Sequence, residues 1–301
     1  MRRAIVFLIL VALATALTIT RGNGAAGGRP TINAIGMVNY SVKKPDWKPG
    51  DWVRYHVSSG NSEGDTDAYY VTIVIAGEER FWGEDCFWVE TRMSDTPTET
   101  EVSNAVATLM SYSIFGDTLA SSRSRLFMRK TIADMTEDGT PRQDLSMRPA
   151  LTLKNRKAAG ERTSRKSDTL GVDTVHTARG LYTCTMVKLE EGIGATGDHG
   201  DSTARTEARE TRTVYFGKGI PITGFARERI VNTVHRKSWP IGRSSEGDLL
   251  LVADSETNAR LIDYGTGTQS LLVPKQFQKS FREQAAATSR SGSVRPAAKR
   301  R

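Results

Sequence analysis

The chain has 301 residues and a formal net charge of +8, placed unevenly. Arg2, Arg3 and Arg21 lie near the N-terminus, and from Lys275 onward eight basic residues face only Glu283, so the body between them is slightly acidic. A nucleic-acid-binding domain gathers its positive charge on a folded face, and this distribution argues against that class.

Residues 4–19 follow the positive pair Arg2-Arg3 and are apolar apart from Thr15 and Thr18. This is the layout of an export signal, with Gly24-Ala25-Ala26 as the cleavage site and cleavage after Ala16 as the alternative. An uncleaved anchor is the competing reading, although the run falls short of the roughly 20 residues a spanning helix needs. The expected partition is a signal peptide over 1–26, a linker over 27–47, one domain over 48–273, and a helix with a basic disordered tail over 274–301. No cysteine stands near the cleavage region to take a lipid, so the expected location is periplasmic or secreted. The tail, ending Lys299-Arg300-Arg301, reads as a solvated end or as an attachment to an anionic membrane surface, worth about 1 kcal/mol per basic residue.

Within the domain, 51–57 alternates, with Val53, Tyr55 and Val57 on one face and Trp52, Arg54 and His56 on the other. A polar loop leads to 69–76, apolar on both faces; after turns at 77–79 and Gly83, 86–93 alternates again. Short period-two runs bounded by Gly and Asp are half-buried antiparallel strands, so the domain opens as a meander. Then the pattern changes. Thr98-Glu99-Thr100-Glu101 has the spacing of a capping box, and Val102, Ala105, Val106, Leu109 and Met110 follow at helical spacing. A helix over 101–115, ended by Gly116, is predicted. Its stripe reads as core ahead of ligand wall, although pockets are also largely apolar.

Strand signals resume at 125–132, 174–176, 181–189, 208–216, 249–253 and 259–264. The stretches 154–170, dense in Lys, Arg and Ser, and 192–209, rich in Gly, Asp and Thr, are predicted as long loops. VYFGKGIPITGFARERI, over 214–230, places Pro221 inside an apolar run, which a central strand does not tolerate. Gly217 and Gly219 supply a turn, so Ile220-Pro221-Ile222 is expected to open a strand over 220–231, with Gly224 at a bend. Pro274 begins a further predicted helix, with Phe277, Phe281 and Ala285 in register.

The order of these pieces carries a resemblance. PGDWVRYHV, then VTIVIAGEERFWGEDCFWVE, then the hairpin ARGLYTCTMVKLE and the corner RTVYFGKGIPITGFARERI resemble bacterial envelope proteins of the lipoprotein-carrier-like superfamily, of the localisation-of-lipoprotein type. Gly219-Ile220-Pro221 matches that group's Gly-x-Pro strand start, and the resemblance spans roughly 48–272. It implies a mainly β (α+β) fold: a strongly curved antiparallel sheet forming an unclosed half-barrel, with a few helices on its concave face. The carriers hold acyl chains between sheet and helices. The insertions at 154–170 and 192–209 and the basic tail depart from the compact carrier pattern.

No motif for chemistry stands out. His56, His176, His199 and His235 lie far apart without a second ligand at standard metal spacing, and Asp198-His199-Gly200-Asp201 suits a polar loop. The acidic stretches 65–67 and 137–139 lack the full calcium-loop pattern. Neither a nucleophile elbow at a strand-to-helix turn nor a phosphate loop between a strand and a helix is expected. The expectation is therefore a protein without cofactor or metal that is not an enzyme.

Three readings of function remain: a binding protein that carries or senses a lipid, lipid-modified protein or other apolar ligand; a structural or assembly factor of the envelope; and a hydrolase with a triad assembled from distant residues. If there is a pocket, its expected walls are Val53, Tyr55, Val71, Ile73, Phe87, Val89, Met186, Phe216 and Phe225. The alternative is that these residues pack on one another, and strand parity is exposed to a one-residue slip. Cys86 and Cys184 sit on predicted strands beside aromatic residues, as small core residues do. A sheet that does not close keeps such distant strands beyond the roughly 7 Å a disulfide needs. Two free, buried thiols are expected.

Overall fold

The computed structural model describes residues 37–39, 45–116, 127–134, 142–146, 162–199, 201–243 and 247–291. The predicted signal peptide and the tail beyond 291 lie outside them.

Among the described residues, eleven strands form one antiparallel sheet. They are β1 (Trp52–Gly60), β2 (Thr66–Phe81), β3 (Glu84–Ser94), β4 (Asn104–Ser111), β5 (Met128–Asp134), β6 (Arg142–Ser146), β7 (Arg162–Thr177), β8 (Gly180–His199), β9 (Ser202–Gly217), β10 (Phe225–Pro240) and β11 (Leu250–Gly265). Their order is β6-β5-β4-β3-β2-β1-β11-β10-β9-β8-β7. The chain thus starts in the middle, meanders outward to β6, crosses to the far edge and meanders back until β11 pairs with β1. The sheet stays open between β6 and β7, as the unclosed half-barrel requires. It also curls. Strand spacing of about 4.8 Å would hold β8 and β11 well apart in a flat sheet, yet Tyr182 Oη lies 3.4 Å from Tyr264 Oη.

The alternation of β1 gives the main core. Val53, Tyr55 and Val57 are fully buried and pair across β2 with Ile73, Val71 and Tyr69. Phe87, Val89 and Met93 extend this core face along β3. The opposite face of β2–β4 is buried too, because residues 266–280 run across it as a strap. Ala76, Trp88, Ala107, Leu109 and Val273 form a second core there, with Phe277 packed against it. This explains why both faces of β2 are apolar.

Four sequence expectations are corrected. The segment 101–115 is no helix: β4 is a strand between β3 and β5, followed by one 3-10 turn at Tyr112–Ile114. A strand buried on both faces repeats apolar residues closely enough to imitate a helical stripe: Met110 meets Phe87 on the core face and Leu109 meets Trp88 on the strap face. Within the expected capping box, Glu99 adopts φ +54° and ion-pairs with Arg54 at 3.0 Å. The loops expected at 154–170 and 192–209 are strand where described: β7 begins at Arg162, β8 runs to His199 and β9 starts at Ser202. Polar side chains on both faces hid their period, and pairs such as Lys166–Asp168 at 2.7 Å occupy them. Ile220-Pro221-Ile222 belongs to a turn, and β10 starts at Phe225. Finally, the helix expected from Pro274 is broken: one 3-10 turn at Lys275–Phe277 precedes α1 (Phe281–Ser291). A capping box that the sequence reading missed starts α1, with Ser280 N donating to Glu283 Oε2 at 2.8 Å and Glu283 N to Ser280 Oγ at 3.3 Å.

Candidate functional site

The expected walls mostly meet. Val53, Tyr55, Val71, Ile73, Phe87, Val89 and Phe225 belong to one buried cluster, with Phe216 packed against it. Met186 lies outside that cluster; its cross-strand partner is Tyr215, one position out of step with Phe216.

Side chains from the same chain cover this face. The Phe87 ring has Tyr112 at 4.9 Å, Phe115 at 5.3 Å and Trp47 at 5.9 Å. Tyr55 stacks on Phe225 at 4.8 Å. Its hydroxyl donates to the Phe225 carbonyl at 2.8 Å and lies 2.5 Å from Thr223 Oγ1, and burial drives its pKa well above the ordinary phenol value. Met37, Val38, Ile114, Ile220 and Ile222 complete the cover. The corner at 217–224 is held by Gly217 N donating to Gly224 O at 3.0 Å, and Asn39 N donates to Ile222 O at 3.0 Å. Ile222 takes φ +63°, a region costly for a β-branched residue.

Further along the core face the lining turns polar. Glu228 is 3% exposed and pairs with Arg212, Nε to Oε1, at 3.2 Å. Burial raises the carboxyl pKa of both Glu228 and Glu210, with Arg212 opposing. Glu191 stands directly across from Glu210, and Glu210 across from Asn232. Like charges directly opposite are unfavourable, so this belt favours a cation nearby, a role Arg212 fills in part.

Beyond the belt lies an open cleft of about 520 Å³ between the β1–β2 hairpin and β10–β11. Val234, Leu251, Val252 and Ala253 form its apolar wall; Ser59, Asn61, Ser62, Glu63, Asp65 and Asp67 line the hairpin side, with Asn232, Asp254 and Ser255 at the junction. Ser62 bolts the walls together, donating to Asp254 Oδ1 from N at 3.1 Å and from Oγ at 2.6 Å. These hydrogen bonds hold the Asp254 carboxyl below its ordinary pKa. Sequence reasoning saw the acidic stretch 65–67 only as an incomplete calcium loop, and its partner wall only as a strand over 249–253, with nothing to join the two. Among the described residues no group of three or more His, Cys, Asp and Glu could hold a metal ion, and no helix is long and apolar enough to cross a membrane.

The fold defines an open, single-sheet antiparallel β protein. No family model matches the chain, and no curated protein matches it. Similar solved structures include the following three. A protein of Parabacteroides distasonis classed as a lipoprotein shares 9% identity, with 75% of this chain and 100% of the other covered and a TM-score of 0.30. A protein of Bacteroides fragilis classed as exported, with a YmcC-like fold, shares 12% identity over 74% and 98%, at a TM-score of 0.28. A LolA superfamily protein of Nitrosomonas europaea shares 8% identity over 80% and 96%, at a TM-score of 0.25. The last comes from the superfamily that the sequence order resembles. Superpositions this loose carry no argument about function.

Proposed function

We propose that the chain is a non-enzymatic binding module of the cell envelope that meets a partner at its sheet surface and has no structural need for an apolar ligand. One observation carries this reading: the apolar core face is occupied by the chain's own Trp47, Tyr112, Ile114, Phe115, Ile220 and Ile222, and Tyr55 and Phe87 are 0% exposed. A carrier site needs an apolar concavity of several hundred Å³, whereas the open cleft of about 520 Å³ lies at the polar hairpin end. The export signal read from residues 1–26 supports the envelope location.

A second reading, storage of an amphiphile on the core face, draws on the corner at 217–224. Ile222 at φ +63° makes that part of the cover the least comfortable, and its displacement would uncover Tyr55 and Phe225. Titration of the folded protein with a fluorescent fatty acid such as cis-parinaric acid separates the two. The first reading predicts no saturable signal; saturable one-to-one binding would overturn it in favour of the second.

A further inference from the structure

We infer that the tip of the β2–β3 hairpin, together with the end of the strap and α1, is a docking surface for an anionic lipid bilayer. The inference rests on the envelope location in the reading above and adds a second contact surface to it.

The tip carries an exposed aromatic where the backbone favours other residues. Trp82 and Gly83 link β2 to β3 as a two-residue turn, with φ +49° and +81°. A hairpin turn with positive φ at both central positions usually takes Asn, Asp or Gly at the first of them. Here a tryptophan holds it, 49% exposed, with its ring 4.6 Å from that of Phe81. Phe81 packs in turn against the second core, which gives the indole a fixed base. A strained backbone under an exposed side chain points to a use for that side chain. An indole suits the boundary between lipid headgroups and acyl chains.

The charge at this end of the sheet is a separate observation, and it is one-sided. The carboxylates here already have partners: Asp85 has Arg80 at 3.0 Å, Glu84 has Arg129 at 2.9 Å, and Glu79 accepts from Trp88 Nε1 at 3.0 Å. Glu78 accepts from Tyr112 Oη and Phe281 N, each at 2.5 Å, and Glu283 caps α1. Lys275, Lys279 and Arg282 are exposed and form no ion pair among the described residues. The bonds from Phe281 N and Gln284 Nε2 tie the start of α1 to Glu78, four residues before Trp82 on β2 and about 13 Å from it along the strand. Beyond α1 the sequence adds Arg295, Lys299, Arg300 and Arg301 and no acidic residue. Cations strung along the chain from Lys275 to Arg301 suit a charged plane better than a shaped acidic pocket. One inserted aromatic with a basic segment beside it supplies the two signals that stable membrane attachment needs.

The test is co-sedimentation with vesicles, using the soluble chain recovered from the periplasm of an expressing bacterium so that residues 1–26 do not contribute. The chain should sediment with vesicles of phosphatidylglycerol mixed with phosphatidylcholine and not with phosphatidylcholine alone. Raised salt should release it. Lys279→Gln combined with Arg282→Gln should weaken binding roughly 25-fold, about fivefold for each charge. Trp82→Gly should weaken it about tenfold through lost apolar burial. Glycine suits the turn, so the urea midpoint of that variant should not fall. Brominated lipid in the mixed vesicles should quench the parent chain more than Trp82→Gly. Equal binding to both vesicles, binding to neither, or indifference to Trp82→Gly would overturn the inference. So would full release by a glutamate-rich peptide at matched ionic strength, which would make the surface one for an acidic protein. Each of these failures leaves the partner-binding reading standing, because that reading needs no lipid surface. Saturable binding of cis-parinaric acid removes that reading and leaves the docking surface in place, since its occupant lies outside the core face.

Discussion

Glu90 is fully buried and encircled by donors. Leu271 N and Leu272 N donate to its two oxygens at 3.0 Å each, Ser270 Oγ donates to Oε2, and Arg92 Nε donates to Oε1 at 2.7 Å. One side chain thus fastens the strap to β3. Removing it leaves two amides unpaired and takes from Arg92, 6% exposed, its nearer carboxylate, with Glu99 remaining at 3.5 Å. Glu90→Ala should cost about 3 to 5 kcal/mol, the range for breaking a buried pair, and Glu90→Gln less, both read by urea denaturation. At Ile222 the expected order of substitutions reverses. Glycine usually destabilises relative to alanine, but at φ +63° an L side chain costs about 1 to 2 kcal/mol. Ile222→Gly should therefore be more stable than Ile222→Ala; the opposite order would show that the corner is unstrained. The thiols behave as the sequence suggested: Cys86 and Cys184 are both free and buried. Denaturing, non-reducing alkylation should modify two cysteines per chain. Burial, helped by Glu84, pushes the Cys86 thiol from 9.0 up to about 11. The raised folded value contributes stability that is complete below about pH 9 and lost as the pH climbs toward 11. Cys86→Ala should flatten that part of the stability profile.

At the scale of elements, the strap decides how β2 is built. The ladder between β2 and β3 shifts register between Ile75 and Gly77, and Gly77 sits at φ +153° under the Phe277 carbonyl. A Cβ there would overlap that backbone oxygen, so Gly77→Ala must push the strap away. The expected loss is about 3 kcal/mol, at the high end for a single substitution, with faster hydrogen exchange in 270–284 and little change in β7–β10. Unchanged strap protection would contradict the account. Glu78 anchors the next element, taking Phe281 N at 2.5 Å while Gln284 Nε2 donates to its carbonyl at 2.8 Å, so α1 should loosen together with the strap.

Across the whole molecule, the alternation at 51–57 and 86–93 made the sheet and its core face legible, because one face of each run is apolar. The parts that were not legible share a physical cause. β4 is apolar on both faces and so lost its period; β7, the distal part of β8 and the start of β9 are polar on both faces and lost theirs. Eight of the nine expected wall residues do come together on or against the core, but no sequence pattern could show that Trp47 and Phe115 would fall on Phe87, or that Ile220 and Ile222 would join the same cover. The cleft was still less visible, since its walls come from opposite ends of the chain and meet only because β11 pairs with β1. The central claim is that the core face is filled from within. Native mass spectrometry of gently purified protein, with its organic extract analysed in parallel, tests it most directly: the account predicts the polypeptide mass alone and an empty extract, whereas a stoichiometric amphiphile in both would contradict it.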